Sequence, residues 1–523
     1  MDRYEKRRGE YEIMLSRPLQ AAGCEVQKDA ILPDTYGDMK KILATSYKLS
    51  PRGDSAESDG ITYTGLLSVT VVFLTEEGSL GSLTVESDYE GRVPMALGEA
   101  TVNVASFPTA EGVQSRLVNP RKLGIRARIK PNLFVWEDRD TALIFPDSVT
   151  DEDRMTFEEN YRRVSYLYAE SFRAEGIESG DDILLDSTRE AISECVMHDI
   201  RFSSLSAEAR NGAVAVNASA EITVFYVSES GAFTSLTHTM PISTLVECEG
   251  VRERDTAVAA LYWEGGSLMP EENADGEKRL LECDFTYAVS LLVTREEEAY
   301  LAADVYSTRY DTELSQSDLI LSRYPMKASA SARASSTLSV KEGLVPIGSH
   351  PILKQYRIES SEEGRALLTG SAQVSVILRD AESEKLVDKT VDLSFSVSLG
   401  MPYENSREYL ALPVLGYADV KAVGGELSVS LPISLSLLSW QRAEERAVTA
   451  VTPTAVWGEK EASAFTVYYP RENESAWEIA KKYRVREDDL IFADSDEFRT
   501  GISRRCVMIP PARRACFKGV VTP

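Results

Sequence analysis

The stretch Thr64-Gly-Leu-Leu-Ser-Val-Thr-Val-Val-Phe73 indicates the fold, because the chain contains it in three related copies. The other copies are Asn217-Ala-Ser-Ala-Glu-Ile-Thr-Val-Phe-Tyr226 and Thr369-Gly-Ser-Ala-Gln-Val-Ser-Val-Ile-Leu378. The corresponding residues Val69, Ile222 and Val374 are 153 and 152 residues apart. This period is too long for a solenoid of short repeats, so the sequence predicts one domain present three times.

Each copy lies in a region where apolar and polar residues alternate. The third region shows the pattern in the apolar residues Val391, Leu393, Phe395, Val397 and Leu399, and again in every second residue from Leu427 to Leu437. Alternation with a period of two predicts strands with one buried face. The sequence therefore predicts a mainly β protein of three tandem antiparallel β-sandwich-like repeats. Pro432 lacks an N–H and predicts a sheet edge or a bulge.

One segment has the apolar spacing of a helix. Phe157, Tyr161, Val164, Tyr168 and Phe172 are spaced by three or four residues and follow Thr156, which forms a capping-box sequence with Glu159. We expect a helix here that covers one sheet. The loop-like sequence before it places the first domain boundary at residue 152.

Composition limits the classes of partner. The 523-residue chain is 43% hydrophobic and has a net charge of −26, with a pI near 4.7. Such a charge repels phosphate backbones and anionic lipids, so nucleic acid is a poor candidate ligand. The charged N-terminal stretch does not resemble a secretory signal, and no apolar run is long enough for a membrane span. Six scattered cysteines, among them Cys506 and Cys516, indicate a reducing, cytoplasmic environment.

Sequence motifs for catalysis are missing. The three histidines, His198, His238 and His350, are isolated, and phosphate-binding, nucleophile-elbow and metalloprotease motifs do not occur. Acidic pairs lie where turns are expected, which is typical of solvated charge. We therefore expect a protein without enzymatic activity, metal or cofactor.

The C-terminal sixty residues have a different pattern. Short apolar strands at 465–467 and 507–509 flank a helix that opens at the capping box Ser475-Ala-Trp-Glu478, and a second short helix is expected near Leu490. This βααβ order resembles the LysM domain, and the matching residues are Tyr468, Trp477, Ile479, Ala480, Val485, Leu490, Ile509 and Pro510. The loop that binds N-acetylglucosamine in LysM domains is replaced here by Asn473-Glu474-Ser475-Ala476. The resemblance implies a partner- or glycan-binding groove formed by Asn473, Glu474, Ser475, Trp477, Asp494 and Phe498.

The body of the chain also resembles a known family. The motif Ile31-Leu-Pro-Asp34 in the first region and Asp304-Val-Tyr-Ser-Thr-Arg-Tyr310 in the second are similar to SPOCS domains of spore-forming bacteria, whereas the third region lacks both. SPOCS-like repeats followed by LysM are typical of spore-envelope morphogenetic proteins. The resemblance implies four domains, at 1–152, 153–325, 326–460 and 461–523.

Two functions remain open. The resemblance implies a scaffold of spore-coat assembly in the mother-cell cytoplasm, whose LysM-like domain docks on the basement-layer ATPase that polymerises on the forespore surface. Exposed strand edges also permit self-association. The alternative is a glycan-binding protein that recognises N-acetylglucosamine oligomers of peptidoglycan or cortex.

Overall fold

The structure, a computed structural model, describes residues 12–16, 23–95, 102–273, 275–456, 465–492 and 506–511. This part of the chain is mainly β, and its named strands pair antiparallel. The strands form three successive strand sets and a small C-terminal module.

The first strand set comprises β1 (Glu12–Ser16), β2 (Cys24–Ile31), β3 (Met39–Glu57), β4 (Gly60–Thr75), β5 (Leu80–Pro94), β6 (Val102–Ser106), β7 (Thr109–Asn119), β8 (Lys122–Lys130) and β9 (Leu133–Asp140). After the short helix α1 (Asp151–Arg154), the second set comprises β10 (Phe157–Leu184), β11 (Ile192–Arg210), β12 (Ala213–Ser228), β13 (Phe233–Glu247), β14 (Thr256–Glu272) and β15 (Lys278–Ser307). The third comprises β16 (Tyr310–Ser339), β17 (Leu344–Ser360), β18 (Arg365–Asp380), β19 (Leu386–Pro402), β20 (Arg407–Leu415), β21 (Asp419–Val423) and β22 (Glu426–Val456).

The same strand order recurs in all three sets. One sheet is a meander of three consecutive strands, in the orders β3-β4-β5, β11-β12-β13 and β17-β18-β19. The other sheet joins the strand before the meander to the strands after it, in the orders β2-β8-β7, β10-β15-β14 and β16-β22-β20. In the first set a further sheet, β1-β9-β6, continues this pattern with shorter strands. The threefold sequence repeat is therefore also a threefold repeat of topology.

The two sheets of a set bury their apolar residues in one cluster. In the second set, Val214 and Ile222 of β12 lie in the same cluster as Leu281 and Phe285 of β15. The third set forms a similar cluster, in which the alternating residues 391–399 of β19 and 427–437 of β22 are buried as the sequence predicted. Alternate burial along both strands follows from the period-two pattern.

The three sets also share a core with one another. Val72, Phe225 and Ile377 occupy corresponding positions in the three copies, and all three are fully buried in one cluster. A second shared cluster contains Phe107, Val258 and Leu410, which come from the first, second and third sets. Residues that the repeat makes equivalent thus meet at common contacts, which indicates an approximately threefold arrangement of the sets.

The helix expected at Thr156 is wrong, because residues 157–184 form strand β10. The apolar residues of β10 pack in different clusters: Phe157 and Tyr161 lie in one, Val164 in a second and Phe172 in a third. Because β10 does not bury one continuous face, its apolar residues lose the period of two. Tyr and Val side chains also favour strands. The capping box lies six residues earlier, where Thr150 accepts from the backbone of Asp153 and opens α1. Sheet-covering helices are not found among the described residues of the three strand sets.

Two further expectations need correction. The predicted boundary between residues 325 and 326 falls inside β16, so the third strand set begins at Tyr310. Pro432 lies in β22, the central strand of its sheet, and not at an edge. It is accommodated because it lies opposite the interval between β20, which ends at Leu415, and β21. Its carbonyl accepts from the N–H of Gly416 in this interval. Because no residue of β20 or β21 lies opposite Pro432, the missing N–H of proline breaks no hydrogen bond to these strands.

Candidate docking module and its contact with the second strand set

The C-terminal module is a three-stranded sheet with one helix. It comprises β23 (Thr466–Tyr468), α2 (Ala476–Tyr483), a 3₁₀ turn (Glu487–Asp489), β24 (Ile491–Phe492) and β25 (Val507–Ile509), with sheet order β23-β25-β24. The element order agrees with the expected strand, helix, short helix and strand. The predicted capping box is confirmed, because Ser475 accepts from the backbone N–H of Glu478 and the Glu478 carboxylate accepts from the N–H of Ser475.

Four of the six predicted groove residues lie in the described part of the module. Asn473 has a positive φ of 66° and forms the turn before α2. The carboxylate of Glu474 accepts from the Tyr468 hydroxyl and from the N–H of Arg471, and Ser475 is used as the helix cap. These side chains therefore stabilise the module itself. Asp494 and Phe498 lie outside the described residues.

Trp477 contacts the second strand set. Its indole Nε1 donates to Asp304 Oδ2 at 2.8 Å, and Lys481 Nζ lies 2.7 Å from both carboxylate oxygens of Asp304. Trp477 and Lys481 are four residues apart in α2, so they lie on the same helix face. One carboxylate near the end of β15 thus accepts from both side chains.

Tyr306 contributes to the core of the module although it belongs to β15. Its side chain is 1% exposed and lies in one cluster with Ile479, Ala480 and Val485. The Tyr306 hydroxyl donates to the carbonyl of Val485 at 2.7 Å. Its ring packs edge-to-face against Trp477, with 4.8 Å between ring centroids. Burial raises the pKa of Tyr306 well above its usual range, so the hydroxyl remains a donor.

Two arginines complete the contact. Arg484 donates to the carbonyls of Ser307 and Tyr310 and pairs with Asp311 at 2.5 Å. Arg486 donates to the carbonyl of Met155 at 2.6 Å. The segment from Asp304 to Asp311 is therefore held at its start by side chains of α2 and at its end by Arg484, the residue that follows α2.

Sequence reasoning missed the docking role of this segment. The motif Asp304–Tyr310 drew attention only through its resemblance to SPOCS domains, and nothing local in it identifies α2 as its contact. Asp304 and Lys481 are 177 residues apart, and their pairing depends on the folded arrangement.

The opposite face of the module sheet is exposed in the part of the chain that the structure describes. Val467, Met508 and Ile491 are paired across the three strands, and each is exposed. Phe465 and Tyr469 lie two residues before and after Val467, and both are exposed as well. This outer sheet face, defined by Phe465, Val467, Tyr469, Ile491 and Met508, is an apolar surface that faces away from the module core.

A buried polar cluster lies where the three strand sets meet. Ser46, Asp199 and His350 occupy corresponding positions, because their cross-strand partners Thr70, Thr223 and Ser375 are corresponding residues of the three copies. All three side chains at these positions are buried.

Asp199 is the charged centre of this cluster. Arg201 Nε donates to Asp199 Oδ2 at 2.9 Å, and His350 Nδ1 lies 3.9 Å from the same oxygen. Burial opposes ionisation of Asp199, but the Arg201 guanidinium holds its pKa well below its usual range. Burial lowers the pKa of His350, so this imidazole is neutral near pH 7.

Neither a metal site nor a membrane span can be identified in the part of the chain that the structure describes. No group of three or more His, Cys, Asp or Glu side chains there could hold a metal ion. No described helix is long and apolar enough to cross a membrane.

Comparison with known proteins identifies one class of domain. Residues 191–265 match a SPOCS domain, and this range covers β11, β12, β13 and the first part of β14. The matching family model is described as "SipL, SPOCS domain". The match supports a sporulation-related role. No curated protein and no solved structure matches the chain.

Proposed function

We propose that this protein is a non-enzymatic scaffold of spore-envelope assembly. In this proposal its three strand sets are SPOCS-like β-sandwich repeats, and its C-terminal module is a LysM-like domain that binds a polymerising ATPase on the forespore surface. The protein would act in the mother-cell cytoplasm. The observation that carries the proposal is the SPOCS match at residues 191–265, together with the same strand order in the sets on either side of it.

The module supports a protein ligand better than a glycan. The loop Asn473–Ser475 is engaged in turn and cap contacts, and the Trp477 indole N–H already donates to Asp304. The outer sheet face, in contrast, presents apolar side chains of the kind that form the centre of protein interfaces. The ATPase would therefore bind at Val467, Ile491 and Met508.

The test is a binding titration of the full chain against the forespore-surface ATPase of the same organism. We expect binding by the wild type and a loss of at least tenfold in affinity in Val467→Arg, because a charge would be buried at an apolar contact. Val423→Arg is the matched control, since Val423 is a 78% exposed valine on the third strand set. Equal loss in both variants would refute the outer sheet face as the binding surface.

A second arm of the titration uses chitin and peptidoglycan oligomers. We expect no measurable glycan binding by the full chain. Glycan binding without ATPase binding would overturn the scaffold proposal and support the carbohydrate-binding alternative. Hydrolysis of a glycan or peptide by the purified protein would contradict the absence of enzymatic activity.

A further inference from the structure

The contact between α2 and β15 has the chemistry of a peptide-recognition site. Asp304 and Tyr306 are two residues apart in an extended strand, so their side chains lie on the same side of β15. Both contact the module, whereas Val305 between them lies in a different apolar cluster, with Leu143 and Val448. The module therefore contacts the first and third residues of an extended Asp-x-Tyr segment.

The module supplies one complementary group for each side chain. The carboxylate of Asp304 is bound by an indole N–H and an ammonium group, and charge-assisted hydrogen bonds of this kind are stronger than neutral ones. The phenol of Tyr306 inserts into the apolar core of the module and ends at the carbonyl of Val485. The acid and the aromatic ring are thus recognised at separate points.

We infer that the α2 face of the C-terminal module is a binding site for an extended Asp-x-Tyr segment, and that Asp304–Tyr306 of the same chain occupies it. The module is then fixed on the second strand set and does not behave as an independent domain on a tether. An outside ligand cannot reach the Asp304-bound edge of Trp477 while the contact persists. This inference concerns a different face from the one assigned to the ATPase and does not depend on it.

The position of the chain favours occupation within one molecule. Strand β22 ends at Val456, which pairs with Tyr310 of β16. Nine residues separate Val456 from the start of β23 at Thr466, so the module is tethered close to the segment that it binds. A short tether raises the effective concentration of the module at this site far above that of a second molecule.

Hydrogen exchange of the full chain, followed by mass spectrometry, tests the inference. We expect the amides of α2 (Ala476–Tyr483) to exchange at least about tenfold faster in Asp304→Ala than in the wild type, because a tenfold change is the effect of losing one charge-assisted contact. Asp284→Ala is the matched control, since Asp284 is an exposed aspartate on the same strand β15, and it should leave α2 unchanged.

A double variant separates recognition from a general loss of stability. Lys481→Met alters a partly exposed side chain, so the protein should fold, and it should also accelerate exchange of α2. In the Asp304→Ala background the same substitution should have no further effect, because both changes remove one contact. Wild-type exchange in Asp304→Ala would overturn the inference. Fully additive effects of the two substitutions would also overturn it.

Discussion

The junction of the three strand sets should make the protein sensitive to mild acid. The half-buried His198 and the buried His350 lie there: burial and the nearby Lys48 ammonium lower the pKa of His198 from 6.5 to about 4, and burial lowers that of His350. The charged groups that face them are Asp199 and Arg201 of β11 and Lys48 of β3. Both rings are therefore neutral in the folded protein at a pH where they become protonated in the unfolded chain.

Proton binding determines whether the free energy of unfolding rises or falls with pH. Below about pH 6.5 the unfolded chain binds protons at these positions that the folded protein does not bind, so the free energy of unfolding falls as the pH falls. For His198, the shift from 6.5 to about 4 corresponds to about 1 kcal/mol between pH 7.5 and pH 5.5, after allowance for the partial exposure of the ring. His350 adds to the loss in the same direction. Asp199 contributes only at lower pH, because its depressed pKa keeps it ionised throughout this range.

Urea denaturation of the full chain at the two pH values measures the effect. We expect the wild type to lose stability at pH 5.5, and we expect His198→Gln to remove about 1 kcal/mol of that loss, since glutamine does not titrate. The control is His238→Gln, because His238 is partly exposed and pairs with Asp181 away from the junction. The reasoning is refuted if the change in stability between the two pH values is the same in His198→Gln as in the wild type.

Three further substitutions test the packing and the module. Phe225→Ala should lower the free energy of unfolding by about 3–5 kcal/mol, because a fully buried ring is lost at the shared core. Leu245→Ala, at an exposed position of the same set, should change it little, and thermal unfolding of the two variants measures the difference. Gly370→Ala should cost about 1–3 kcal/mol, because the added methyl group would lie 2.4 Å from the Phe395 ring; a urea titration that shows no change would contradict this. Ser475→Ala should destabilise α2 by about 1 kcal/mol through loss of its cap, and faster amide exchange confined to the module would show it.

The strands could be predicted from the sequence because burial in a sheet leaves a local, period-two pattern. The alternation at residues 391–399 and 427–437 is such a pattern. The threefold repeat was visible as well, because Val69, Ile222 and Val374 lie at corresponding positions of three similar segments. The helix expected after Thr156 was wrong because β10 packs against successive apolar clusters with different faces, which gives its apolar residues the spacing of a helix. The cap at Ser475 was predictable because both partners lie within one turn.

The candidate site was less predictable because its contacts are distant in sequence. The resemblance to LysM indicated Trp477, but it indicated a groove for an outside ligand, and the indole N–H instead donates to Asp304. The approach of His350 to Asp199 also has no local signal, since the two residues lie in the meanders of different strand sets and are 151 residues apart. Such contacts follow from tertiary structure and leave no periodicity in the sequence.

The docking of the module explains a difference among the three strand sets. Only the second contains the motif Asp304-Val-Tyr-Ser-Thr-Arg-Tyr310, and it is this segment that α2 contacts. Within the motif, Asp304 and Tyr306 contact the module, whereas Arg309 and Tyr310 bind Asp153 of α1. The first part of the motif is therefore explained by binding of the module, and the last part by contacts within the body. One such segment in the chain then specifies one position for one module, and the outer sheet face is held in a fixed orientation on the body.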